Sequence, residues 1–142
     1  MPEIREKSCG IVLVNRGEND DSEVKFLLLH YPQGHFDFAK GHVEAGETEL
    51  ETAARELKEE TGISEIEFYE GFREKISYKF RYEGKMIYKD VYFFIAETHE
   101  TKVVLSHEHQ GSGWFVYEEA RKKITFDQSR KVLEKAHEYL VK

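Results

Sequence analysis

The chain has 142 residues, 39% apolar, 13% aromatic and 35% charged, with a formal net charge of −7. That length accommodates one globular domain, residues 1–142, with a sizeable core. A single cysteine, Cys9, excludes an intrachain disulfide, and the acidic balance argues against a broad nucleic-acid-binding surface.

The opening decapeptide MPEIREKSCG lacks the apolar stretch of a secretory signal, and the longest apolar run, Val91 to Ala96, is far too short to cross a bilayer. With the lone cysteine, this predicts a cytoplasmic setting. Two β-rich runs, CGIVLVN (Cys9 to Asn15) and VKFLLLHY (Val24 to Tyr31), read as strands around a turn-rich break. YPQG at Tyr31 to Gly34 makes the next break. Thr48 and Glu51 then form a T-x-x-E capping box, and Gly62 stands where a helix C′ residue belongs. Strands are expected at Ile66 to Phe72, Lys75 to Tyr82, Ile87 to Glu97 and Trp114 to Tyr117, with YEGK turning between the middle two. From Thr125, with Thr125 as N-cap candidate, an amphipathic helix carries Val132, Leu133, Ala136 and Leu140 on one side. This order predicts a mixed sheet with a helix on each face, an α/β or α+β fold of three layers.

Lys40 to Gly62, KGHVEAGETELETAARELKEETG, holds seven glutamates in twenty-three residues. At about 100° per residue, Leu50, Ala54, Leu57 and Thr61 form the expected core-facing stripe. Glu56, Glu59 and Glu60 share a neighbouring arc that is expected to face away from the core. Like charges at these spacings destabilise a helix by roughly a few tenths of a kcal/mol per pair. A solvated acidic face is one explanation. The other is a hard divalent cation, Mg²⁺ or Mn²⁺, whose binding cancels the repulsion. The loop GHVEAG, bracketed by Gly41 and Gly46, favours the second, because glycine lets a backbone carbonyl approach an ion.

Gly41, Glu47, Arg55, Glu56, Leu57, Glu59, Glu60, Gly62 and Ile63 match every position of G-x5-E-x7-R-E-U-x-E-E-x-G-U, where U is aliphatic. The chain thereby resembles the Nudix hydrolases. The resemblance implies an α/β/α sandwich with a mixed central sheet and Mg²⁺-dependent cleavage of a phosphoanhydride by metal-activated water. It makes Glu56, Glu59 and Glu60 metal ligands, joined by the Gly41 carbonyl. Arg55 would orient the carboxylates and Glu47 would hold loop to helix. Charge neutralisation along a phosphate chain is the chemistry such ions supply.

Within that superfamily, KGHVEAGE together with LSHEHQGSGWF (Leu105 to Phe115) resembles the asymmetric diadenosine tetraphosphate hydrolases, which release ATP and AMP. That likeness implies Glu108 as a further metal ligand or general base, Lys40, His42 and His35 at phosphate, and Tyr78 and Phe126 stacked on adenine. The residues alone leave alternatives. His35, His107 and His109 each read singly as surface loop histidines. Tyr78 shares a strand face with Ile76, Phe80 and Tyr82 and reads equally as core. Lys79 and Arg81, with Lys75, project from the opposite face as a polyphosphate-binding or merely solvated surface. Ala39 stands where these hydrolases usually carry proline. The expected partner is a small nucleotide polyphosphate, with no membrane, stable nucleic-acid or obligate protein partner. The alternatives are another substrate of the same chemistry (RNA 5′ ends, modified nucleoside triphosphates, inositol pyrophosphates) or a non-catalytic nucleotide sensor.

Overall fold

A computed structural model describes residues 3–16, 23–105, 109 and 111–141. Its strands are β1 (Ile4–Asn15), β2 (Lys25–His30), β3 (Phe36–Asp37), β4 (Ala39–His42), β5 (Glu67–Phe68), β6 (Glu74–Tyr82), β7 (Lys85–Glu97) and β8 (Gly111–Val116). The helices are α1 (Glu49–Thr61), α2 (Tyr117–Lys123) and α3 (Asp127–Leu140). All eight strands join one mixed sheet, in which β1 and β7 run parallel from Ile4 beside Ile87 to Val14 beside Glu97. The far edge of β7 carries β6 and β5. The far edge of β1 is shared, with β4 pairing along Ser8 to Ile11 and β2 at Val14 and Asn15, so the sheet splits there. β3 and β8 then flank β2.

Strand alternation sends one set of side chains to each helical layer. Val12, Val14, Phe26, Leu28, Val91, Phe93 and Ile95 pack with Ala120 of α2 and Val132, Leu133 and Ala136 of α3. Cys9, Ile11, Leu13, Leu27, Leu29, Phe94 and Ala96 pack with Ala53 and Leu57 of α1. The expected three layers are therefore present. No helix among the described residues is long and apolar enough to cross a membrane.

Several boundaries differ from expectation. β1 starts at Ile4, because the polar run IREK pairs with β7 although it has no apolar signal of its own. The strand expected over Ile66 to Phe72 shrinks to Glu67–Phe68. Tyr117 opens the short helix α2, which has no side-chain cap to announce it. Thr125 does not cap α3: its hydroxyl accepts from the Phe36 amide at 2.8 Å, tying the helix approach to β3.

The capping box of α1 forms as expected, with Gly62 left-handed at φ 78°. The buried face of α1 does not fall where the apolar residues alone put it. Leu50 is 42% exposed, whereas Thr52, Ala53, Leu57, Glu60 and Thr61 are buried. The buried arc is thus turned by about 60° toward the glutamates. Threonines permit this rotation, because Thr61 donates to the Leu57 carbonyl and Thr52 to Glu47, leaving no bare hydroxyl in the interior. Glu60 consequently lies on the buried side of the helix, against the expectation that the whole acidic arc faces outward.

Glu49, in the first turn, fastens α1 to the sheet. Arg73 grips both its oxygens at 2.7 Å and Lys7 reaches it at 2.7 Å. Hydrogen bonding by Arg73, opposed by partial burial and aided by Lys7, holds the Glu49 carboxyl down at about 2. A depressed carboxylate contributes stability above its unfolded value near 4.3 and loses it as pH falls toward 2. Glu49→Gln should lower Tm by about 2–4 °C at pH 7, with the deficit fading between pH 5 and pH 2. A deficit constant across that window would assign Glu49 a packing role only.

Candidate active site

Arg55 is the centre of the loop–helix junction. Its Nε donates to Glu47 at 2.6 Å, and its terminal nitrogens donate to Glu56 at 2.9 Å, Glu59 at 3.2 Å and the His42 carbonyl at 2.9 Å. Charge-assisted bonds of this kind are short and directional, so one guanidinium fixes both the turn after β4 and two carboxylates of α1. Glu47 also accepts from the Glu44 amide, and these bonds, Arg55 first, hold its carboxyl at about 2. Across from this cluster, Gly41 pairs with Cys9 and turns its α-carbon toward α1. A Cβ at Gly41 would overlap the Glu56 carboxylate. Only a residue without a side chain allows Glu56 to lie against the strand.

The three glutamates grade from solvent to interior. Side-chain exposure is 57% at Glu59 and 17% at Glu56, and Glu60 is buried, with Oε1 3.2 Å from His109 Nε2. They line a cleft of about 580 Å³ with Lys40, Gly41, His42, Arg55 and Lys89. Among the described residues, the acidic side chains are not closed around a single point, since Arg55 bridges Glu56 and Glu59. The donor set still suits a hard cation: three carboxylates and the Gly41 carbonyl supply oxygen, beside the His42 imidazole and with no thiol in the lining. The cradle that glycine leaves at Gly41 places Glu56 beside the strand backbone, as an ion shared by strand and helix would need.

A second hollow of about 570 Å³ adjoins the first through Lys40. It is lined by His35, Asp37, Ile76, Tyr78, Phe126 and the first turn of α3. Here the structure brings His35 and Lys40 together with Tyr78 and Phe126, which lie far along the sequence. Lys40 Nζ sits 3.2 Å from the buried Asp37 and 5.9 Å from the Tyr78 ring centre. Tyr78 packs against the core and also faces the hollow, so the two readings of it are compatible. His35 is not a surface cation. It stacks on Tyr31 at 4.7 Å and leans on Phe126 at 5.0 Å, and burial pushes its imidazole below the usual value. Its ring borders the hollow beside Phe126.

His42 lines the carboxylate cleft, its imidazole 3.5 Å from Glu6. Lys79 and Arg81 do not join either hollow. The ladder places Lys79 opposite Tyr88, on the other face from Tyr78, and Arg81 opposite Met86 nearer the hairpin tip. His107 and Glu108 lie outside the described residues. Three contributors escaped the sequence reading. His109, expected at the surface, is buried beside Glu60 and edge-on to Tyr31 at 4.6 Å. Asp37 anchors Lys40, and Lys89 enters the carboxylate cleft, where burial and then Lys40 lower its ammonium value. The signal for Lys89 is its place with Arg73 and Lys85 in the basic stretch Arg73 to Lys89 around the β6–β7 hairpin, and for Asp37 its position three residues before Lys40 of the KGH motif.

The comparisons with known proteins follow the same lines. A family signature described as "NUDIX domain" matches residues 5–136. The bis(5′-nucleosyl)-tetraphosphatase [asymmetrical] of Mus musculus is 36% identical over 143 residues, covering 94% of this chain and 95% of the relative. A crystal structure described as a C. elegans Ap4A hydrolase binary complex superposes with a TM-score of 0.82 at 32% identity, covering 96% of this chain and 98% of that one. The E. coli dihydroneopterin triphosphate pyrophosphohydrolase, at 19% identity and a TM-score of 0.72 over 93% of this chain and 96% of that one, shares the fold.

Proposed function

The chain belongs to the NUDIX domain family of hydrolases, and from that premise we propose that it cleaves bis(5′-nucleosyl) tetraphosphates asymmetrically, releasing a nucleoside triphosphate and a nucleoside monophosphate. One observation carries this reading. The carboxylate cleft and the aromatic hollow are joined at Lys40, so a phosphate chain over the glutamates leads directly to a place for a base.

Glu56, Glu59, Glu60 and the Gly41 carbonyl are the groups proposed to hold a divalent cation, Mg²⁺ with Mn²⁺ as substitute, and Glu108 is proposed as a further ligand or general base. When bound, the cation supplies charge neutralisation along the phosphates and a more acidic water. The chain's own residues do the rest. Arg55 keeps Glu56 and Glu59 aligned with the loop. Lys40 and Lys89 bring positive charge to the cleft floor, where phosphate oxygens need it. Tyr78 and Phe126, with His35 beside them, offer ring faces to a nucleobase. Residues 1–142 are proposed to act as one domain in a reducing, cytoplasmic setting, with the nucleotide as partner and neither membrane nor nucleic acid required.

The test is a substrate panel with Mg²⁺ in ¹⁸O-labelled water. Diadenosine tetraphosphate should give equimolar ATP and AMP, with label in one product only. Two ADP, or no cleavage, would overturn the substrate reading. Faster turnover of RNA 5′ ends, modified nucleoside triphosphates or inositol pyrophosphates would replace the substrate and keep the chemistry.

A further inference from the structure

The Asp37 side chain is 1% exposed, and it lines the aromatic hollow while staying out of the carboxylate cleft. Its Oδ1 accepts from the Phe38 amide at 2.8 Å, and its Oδ2 meets Lys40 Nζ at 3.2 Å. Withdrawing a carboxylate this far from water carries a desolvation cost that a well-placed counter-ion must offset. Lys40 is that counter-ion, and its own side chain is 19% exposed, so neither partner is free to wander as in a surface pair. A clamp between β3 and β4 would account for the burial. It would not account for where the lysine stands.

Lys40 is the residue that the hollow and the cleft share. Its chain neighbour is Gly41, against which the Glu56 carboxylate is seated. Glu44, Glu59 and Glu60 line the same cleft. Lys89 also lies there, and its ammonium is lowered by burial and by Lys40 and raised by Glu6 and Glu56, so these charges are within electrostatic reach of one another. A lysine carries its charge on a flexible four-carbon stem. Without a partner in the hollow, the Lys40 ammonium would settle on the carboxylates of the cleft. Arg55 already bonds Glu56 at 2.9 Å and Glu59 at 3.2 Å. A second cation on those oxygens would compete with a divalent ion for them. Asp37 draws the ammonium the other way, to 5.9 Å from the Tyr78 ring centre.

We propose that Asp37 is a positioning residue for the cation site: by pairing with Lys40 on the aromatic side it keeps the lysine off the glutamates and leaves their oxygens open to a divalent ion. The inference rests on the cation reading above and adds to it a residue that touches neither ion nor substrate.

The test is Mn²⁺ binding by calorimetry, with no substrate present, to wild type, Asp37→Asn and the double variant Asp37→Asn/Lys40→Met. Asparagine keeps an acceptor for the Phe38 amide and removes the charge. Asp37→Asn should weaken Mn²⁺ binding about three- to tenfold. The double variant should return to within about twofold of wild type, because the competing ammonium is gone and no buried charge is left unpaired. A defect in strand packing would persist there, since nothing then joins the two side chains. Should Asp37→Asn not fold, Asp37→Ser removes the same charge with a smaller side chain and takes its place in the comparison. Wild-type affinity in the single variant, or equal weakening in single and double, would overturn the proposal and leave the cation reading standing. A wild-type protein that binds no Mn²⁺ would remove the cation site itself, and this role of Asp37 with it.

Discussion

Glu56→Gln should reduce kcat by about a thousandfold or more, while Tm stays within about 3 °C of wild type. The substitution keeps the shape of the side chain and removes one negative charge. Glu56 is the carboxylate common to both parts of the site, touching Arg55 at 2.9 Å and seated against Gly41. Arg55 retains Glu47, Glu59 and the His42 carbonyl when that charge is lost, so the loop keeps its place. What disappears is an anionic oxygen donor, and with it affinity for a hard cation. The check is saturating-substrate turnover across a Mg²⁺ titration, beside direct Mn²⁺ binding by calorimetry. Turnover close to wild type would remove Glu56 from the cation site. Glu60→Gln is a less clean probe, because Glu60 is buried against His109 and its replacement acts on packing as well as charge.

The difference between those two glutamates marks where the sequence is informative and where it is not. Helical arithmetic placed Glu56, Glu59 and Glu60 on one arc, and the capping box and Gly62 set both ends of α1. Local physics determines such features, so local residues reveal them. How far the helix rolls against the sheet depends instead on its neighbours. Thr52 and Thr61 could be buried because backbone and side-chain acceptors met their hydroxyls, and that turned Glu60 inward and Leu50 outward. No apolar tally of the helix contains that information. The same limit applies to β1, whose polar start is a strand because β7 pairs with it. It applies to His109 too, since its burial beside Glu60 and Tyr31 joins segments that are distant in the chain. Face assignment on β6 fared better, because strict alternation along a strand needs no partner to decide it. It separated Tyr78 from Lys79 correctly, though it could not show that Tyr78 borders the aromatic hollow.

Gly41→Ala should reduce kcat by about a hundredfold and leave the fold intact, a combination that neither a core defect nor a backbone defect would give. Gly41 sits within β4, and its φ is outside the left-handed region, so alanine imposes no backbone strain. The three atoms nearest the added methyl all belong to the Glu56 carboxylate, the end of a flexible side chain that can swing aside. Gly10 offers the contrast: a Cβ there meets the Phe93 ring, the Ala39 carbonyl and Lys40, and alanine should destabilise the core. At Gly41 the whole penalty falls on the position of one carboxylate, and catalysis is more sensitive to that position than stability is. The decisive measurement is a double-mutant cycle. If Gly41→Ala acts by displacing Glu56, it should cost almost nothing further once Glu56 is already glutamine, because both changes remove the same interaction. Additive losses in the cycle would mean that the glycine serves the loop in some way independent of Glu56.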